Sequence, residues 1–121
     1  MITFLDGLVE AKEPARLTLN VNGVGYDVHI PLSSYERLPA PGGRCRVLVF
    51  DHVREDAHLL FGFATEAERR MFERLLDVNG VGPKIALSAL SGMSVRELVQ
   101  AIVGRDIKRL SSINGIGRKT A

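Results

Sequence analysis

VNGVGPKIA, residues Val78–Ala86, returns as INGIGRKTA, residues Ile113–Ala121, at an offset of 35 residues. Each copy has an apolar residue, Asn, then Gly–apolar–Gly, one variable residue and a Lys. Each opens a new stretch of helical character. A glycine-rich turn feeding a helix start leaves backbone N–H groups without partners and aims them at one point. That arrangement suits an anion, and a phosphate is the usual occupant. Two such turns in one small domain can grip two phosphates, as a holder of a nucleic acid backbone needs to do.

The same five letters serve another purpose elsewhere. VNGVG also occurs at Val21–Gly25, but there Tyr26, Val28 and Ile30 alternate with Asp27 and His29. Leu17, Leu19 and Val21 alternate in the same way before it. That is the period of a half-buried strand on each side of Asn22-Gly23, two residues that tolerate positive φ, so this copy predicts a hairpin. After Gly82 come Pro83, favoured at the first helical position, and then Ala86, Leu87 and Leu90 at helical spacing.

Working outward from the turns, the chain divides at Ala64/Thr65. Residues 1–64 read as all-β, with strands at Ile2–Val9, Arg16–Val21, Tyr26–Pro31, Arg44–Val53 and His58–Phe63. Five short strands in about sixty residues predict a small barrel of the oligonucleotide-binding (OB-fold) type. Residues 65–121 read as all-α. Thr65-Glu66-Ala67-Glu68 and Ser94-Val95-Arg96-Glu97 are capping boxes. The second opens a helix that stops at Gly104, and Asp106 can cap a short helix through Leu110. The fold class is therefore α+β: a five-stranded barrel, then a tandem helix-hairpin-helix domain whose last helix is cut short at Ala121.

Composition narrows the partners. The 121 residues are 45% hydrophobic, enough for a core, but 6% aromatic with no Trp, which disfavours stacking on single strands. Residues 1–64 carry 6 Lys/Arg against 8 Asp/Glu, and residues 65–121 carry 10 against 6. The basic half is the half with the repeat, as phosphate binding requires. The one cysteine, Cys45, excludes an internal disulfide and fits a reducing cytoplasm. No apolar run approaches membrane-spanning length, and MITFLDG lacks the basic region of a signal peptide. No membrane partner is expected.

The candidate phosphate-binding set is Asn79, Gly80, Val81, Gly82 and Lys84 in the first turn. In the second it is Asn114, Gly115, Ile116, Gly117, Arg118, Lys119 and Thr120. The glycines let backbone approach oxygen, Val81 and Ile116 anchor the turns in the core, and Lys84 and Lys119 add charge to the helix-start dipole. Thr120 adds a hydroxyl donor. Such contacts read no bases, so binding is expected to be independent of sequence and steeply salt-dependent. GIGRKT, Gly115–Thr120, looks like the tail of a nucleotide-binding P-loop, but it lacks the adjacent Gly-Lys and no strand precedes it. His29, His52 and His58 do not sit at metal spacing. No catalytic residue, metal or cofactor is expected. Glu55-Asp56, between two strand-like runs, is either a solvated turn or a spacer that repels phosphates.

VNGVGYDVHIP (Val21–Pro31), VREDAHLLFGFAT (Val53–Thr65), VNGVGPKIALSALSGMS (Val78–Ser94) and INGIGRKTA occur here in that order. Together they resemble the RuvA family of bacterial Holliday-junction recognition proteins. The resemblance implies an OB-type barrel, a double helix-hairpin-helix domain and a four-fold homotetramer, two of which can sandwich a four-way junction as an octamer. It implies a basic face receiving four duplex arms and an acidic pin at the crossover, which maps onto Glu55 and Asp56. It implies the RuvB motor, which hydrolyses ATP, and the RuvC nuclease as partners. Two departures stand out. Asn114 occupies a place where the family commonly has Pro. The family's C-terminal helical domain, which contacts RuvB, is missing from this sequence, so this chain alone is not expected to stimulate the motor. Two other expectations compete. A helix-hairpin-helix DNA glycosylase/lyase would use Lys119 as nucleophile, but it needs a downstream Asp and predicts no barrel. A generic duplex-binding module of a larger repair enzyme would share only the turns.

Overall fold

Alternation of apolar and polar residues on both sides of Asn22-Gly23 builds the first sheet contacts. In the computed structural model, which describes residues 1–113 and 116–117, β2 (Arg16–Val21) and β3 (Val24–His29) pair antiparallel across that turn. Asn22 and Gly23 take φ of 50° and 90°, the left-handed pair that a two-residue hairpin needs. β1 (Phe4–Glu13) precedes them, β4 (Arg44–Arg54) and β5 (Ala57–Phe63) follow, and the five close into a barrel in the order β1-β2-β3-β5-β4. Every pair is antiparallel except β3 with β5, which is parallel and closes the barrel. Leu5, Val9, Leu17, Leu19, Val28, Val47, Val49 and Leu60 alternate inward and form its core.

Two features of this half depart from the sequence pattern. β1 runs four residues past Val9, because a register shift between Val9 and Ala11 resets its alternation while it stays paired with β2. A six-residue helix, α1 (Leu32–Arg37), stands in the connection between β3 and β4, where no element was expected. Its Ser34 is fully buried.

The helices follow as α2 (Glu66–Leu76), α3 (Pro83–Gly92), α4 (Val95–Val103) and α5 (Ile107–Ser111). Leu90, Leu98, Ala101 and Leu110 are buried. Ser94 and Glu97 form the predicted reciprocal box at the start of α4, and Asp106 accepts the Arg109 N–H at the start of α5. α4 stops at its C-cap Gly104, as expected, but the left-handed residue comes one position later. Gly104 keeps helical φ, and Arg105 takes the left-handed position with φ 53°. Asp106 N–H then bonds Ala101 O at 2.9 Å and Arg105 N–H bonds Ile102 O at 3.2 Å, a Schellman end with Arg where Gly is usual.

The chain separates into two compact units, Met1–Arg69 and Arg70–Ala121, so the division falls inside α2. Among the described residues no single helix is long and apolar enough to cross a membrane.

Candidate nucleic-acid interface

The second unit carries the twin turns. In the first, the N–H groups of Asp77, Val78 and Val81 bond the carbonyls of Arg74, Leu75 and Val78. In the second, those of Ser112, Ile113 and Ile116 bond the carbonyls of Arg109, Leu110 and Ile113. Each bond of one set is matched by a bond of the other 35 residues on, so the repeat in letters is a repeat in backbone. Val81 and Ile116 are both buried, as anchors of the two turns. Asn79, Gly80 and Lys84 are exposed beside Val81.

Gly80 and Gly82 differ in kind. Gly80 has φ 86°, a conformation that favours glycine. Gly82 has φ −97°, which any residue adopts, and a Cβ built there meets nothing within 4 Å. Gly117 is likewise exposed, with open space where a Cβ would stand. Nothing in the described residues demands glycine at these two positions. Asn114, Gly115, Arg118, Lys119 and Thr120 lie outside the described residues.

Helix capping sharpens the difference between elements. α4 and α5 satisfy first-turn N–H groups with their own Ser94 and Asp106 side chains. α3 starts at Gly82-Pro83 with no side-chain cap, so the first-turn amides of Lys84 and Ile85 stay open to an outside acceptor. In α4 the Ser94 N–H holds the Glu97 carboxyl below its usual range, and Arg109 beside it adds to the effect.

In the first unit, Glu55 and Asp56 form the two-residue tip of the β4–β5 hairpin, between the paired residues Arg54 and Ala57, and both are exposed. In the sequence, His58 reads as an ordinary strand residue and Asp51 is not singled out. Asp51, almost fully covered, accepts the Ile2 N–H at 2.8 Å and meets His58 Nε2 at 2.5 Å. The Ile2 N–H, then His58, lowers the Asp51 carboxyl from its usual range. The signal was available: Val53 pairs with His58 and Asp51 with Leu60, so counting back from the tip puts Asp51 and His58 on one face. Among the described residues no group of three or more His, Cys, Asp or Glu could hold a metal ion.

The family model of the RuvA N terminal domain matches residues 1–62. The chain belongs to the RuvA family. A second model, the SAM-like helix-hairpin-helix tandem, matches residues 72–121, so the RuvA barrel and the twin turns are each recognised separately. The chain is 50% identical over all 121 residues to a Chromobacterium violaceum protein, of which it covers 61%. It is 48% identical to one from Dechloromonas aromatica and 47% identical to one from Burkholderia cenocepacia, covering 63% of each. All three are named Holliday junction branch migration complex subunit RuvA. The chain thus spans just over three fifths of the length of these RuvA relatives.

Proposed function

We propose that this chain binds four-way junction DNA by structure and not by sequence, and holds it open and planar for branch migration in recombination and repair. The observation that carries the reading is the pair of turns with identical backbone bonding 35 residues apart, each ending in a glycine whose Cβ position is empty. Where protein leaves room for a side chain and the backbone permits one, a partner that needs close approach accounts for the glycine. A phosphate oxygen is that partner. Asn79, Gly80, Gly82 and Lys84 hold one phosphate, and Asn114, Gly115, Gly117, Arg118, Lys119 and Thr120 hold the second. Val81 and Ile116 fix the turns from below.

Glu55 and Asp56 act as the acidic pin. Carboxylates at the crossover push phosphates outward, which favours the open junction and keeps separated strands apart. Residues 1–64 supply the pin and residues 65–121 the grip. Four copies surround one junction, and a second tetramer can close over it. The chain works without catalysis of its own. ATP hydrolysis belongs to a RuvB motor and cleavage to a RuvC nuclease, both partners of the longer protein in the cytoplasm.

Competition binding tests the reading. A labelled four-way junction challenged with a linear duplex of equal length should stay bound until the duplex is in about 100-fold excess or more, because several arms engage at once. Equal competition would overturn it in favour of a generic duplex binder. Borohydride trapping of a DNA adduct would instead favour a lyase.

A further inference from the structure

Pro14-Ala15, Asn22-Gly23 and Glu55-Asp56 each close a hairpin of the barrel as a two-residue loop. Asn22 and Gly23 both have positive φ, the turn whose twist suits the strands it joins. The other two loops have no positive φ, and such a turn tends to splay its strands. The Pro14-Ala15 loop is tied from outside, because the Ala15 carbonyl accepts the Ile30 N–H at 3.0 Å. Among the described residues no backbone bond of that kind reaches Glu55 or Asp56. The acidic tip closes a hairpin that its own turn holds poorly.

Packing gives little help there. Along the interior face of β4 and β5, Val49 pairs with Gly62, Asp51 with Leu60 and Val53 with His58. Val49 and Leu60 belong to the core, but Val53 is 66% exposed, and Arg54, Glu55 and Asp56 are exposed as well. Apolar support therefore ends at Leu60, with three residue pairs still to run before the tip. At that point stands Asp51, its side chain 5% exposed. Its Oδ2 accepts the Ile2 N–H, and its Oδ1 meets His58 Nε2 diagonally across the ladder. The segment that supplies the Ile2 N–H is itself fixed on β4, since the Val49 N–H bonds the Thr3 carbonyl at 2.8 Å. Among the described residues no side-chain hydrogen bond or ion pair joins the two strands beyond this one. All of these residues belong to the first unit.

We infer that Asp51 and His58 are positioning residues: their contact ties β4 to β5 where core packing has ended, and so keeps Glu55 and Asp56 in one place. The inference rests on the reading of that tip as the acidic pin. Repulsion between charges falls with distance, so carboxylates that swing freely would mark no fixed crossover. Asn-Gly would close the hairpin better but would carry no charge. The brace lets a poorly closing turn present two carboxylates.

The test follows amide relaxation order parameters of residues 53–58 in the full chain without DNA. They should lie near about 0.85 in the parent and fall toward about 0.6 in His58→Ala. His58→Gln, whose amide can still donate to Asp51, should restore them. In a Glu55→Asn, Asp56→Gly background, where the turn closes itself, His58→Ala should have no such effect. Order parameters unchanged in His58→Ala, or lowered equally in both backgrounds, would overturn the brace. On a four-way junction with labelled arms, His58→Ala should shift fluorescence transfer in the same direction as Glu55→Gln with Asp56→Asn. A response to the tip variant but not to His58→Ala would overturn the positioning role. A junction indifferent to both would sink the pin alone, since the DNA-free order parameters still decide whether Asp51 and His58 hold the hairpin.

Discussion

Gly80 and Gly82 stand two residues apart and need glycine for different reasons. At φ 86°, Gly80 is constrained by the chain itself, so Gly80→Ala should cost about 1 kcal/mol of stability through backbone strain. At φ −97° with open space around it, Gly82 is not so constrained. Gly82→Ala should cost less than about 1 kcal/mol, the loss at a helix N-cap. A methyl group there would instead hold a phosphate away from the open amides and remove a charge-assisted bond. Affinity for duplex and junction alike should then fall about 10- to 100-fold. Urea denaturation and binding isotherms on the two variants check the split. Equal ratios of stability loss to binding loss in both would refute it. Asp51 gives a second residue-scale outcome. Its carboxyl is depressed by the Ile2 N–H and His58, so its stabilisation is complete above the usual carboxylate range. That stabilisation is lost as pH falls through the depressed folded value. Asp51→Asn should therefore lie furthest below the parent in stability near neutral pH. The gap should narrow below about pH 4. A constant gap in a pH series of melting curves would contradict the assignment. The repeated turn was legible in sequence because a local motif dictates it, and the bonds of Asp77, Val78 and Val81 recur 35 residues on. The buried Glu68 carboxylate was not, because the Ser33 and Ser34 hydroxyls it accepts lie more than thirty residues away, in a helix that the sequence does not announce.

At the scale of elements, three helix starts in the second unit make an internal comparison. α4 and α5 close their own first turns, while α3 leaves its first turn open. Ser94→Ala should thus destabilise the fold by about 1 kcal/mol and leave DNA binding unchanged. Lys84→Ala should do the reverse, with little effect on folding and a salt slope of binding reduced by about 1 for every DNA sequence tested. A base-dependent effect of Lys84→Ala would mean that the turn reads bases. The strands and caps could be read beforehand because each rests on a short period or a side chain three residues from its target. α1 escaped because six residues with Pro31 at the N-cap and no side-chain cap carry little helical signal of their own. Leu38, buried just after it, and Ser34 hold it in place through tertiary contacts. The left-handed Arg105 escaped for a related reason. Gly104 caps the helix as the sequence suggests, and only the bonds to Ala101 and Ile102 show that the next residue turns the corner.

For the whole molecule, charge is divided against itself in a useful way. Residues 65–121 carry four more basic than acidic groups, whereas residues 1–64 carry two more acidic than basic ones, and Glu55 and Asp56 stand at an exposed tip. A polyanion gains by meeting the second set and loses by meeting the first. If the tip only decorated a solvated turn, replacing it with Gln and Asn would change neither affinity nor junction shape. If it repels phosphates at the crossover, Glu55→Gln with Asp56→Asn should leave junction affinity equal or higher, because an unfavourable charge contact has gone. The junction should then relax from the open planar form, which fluorescence transfer between labelled arms would detect. Branch migration driven by a RuvB motor on the longer protein should change speed. The repulsion is between charges in water, so added salt should shrink the difference between parent and variant. A large fall in junction affinity would mean that the carboxylates attract some part of the complex, and the pin would have to be reassigned.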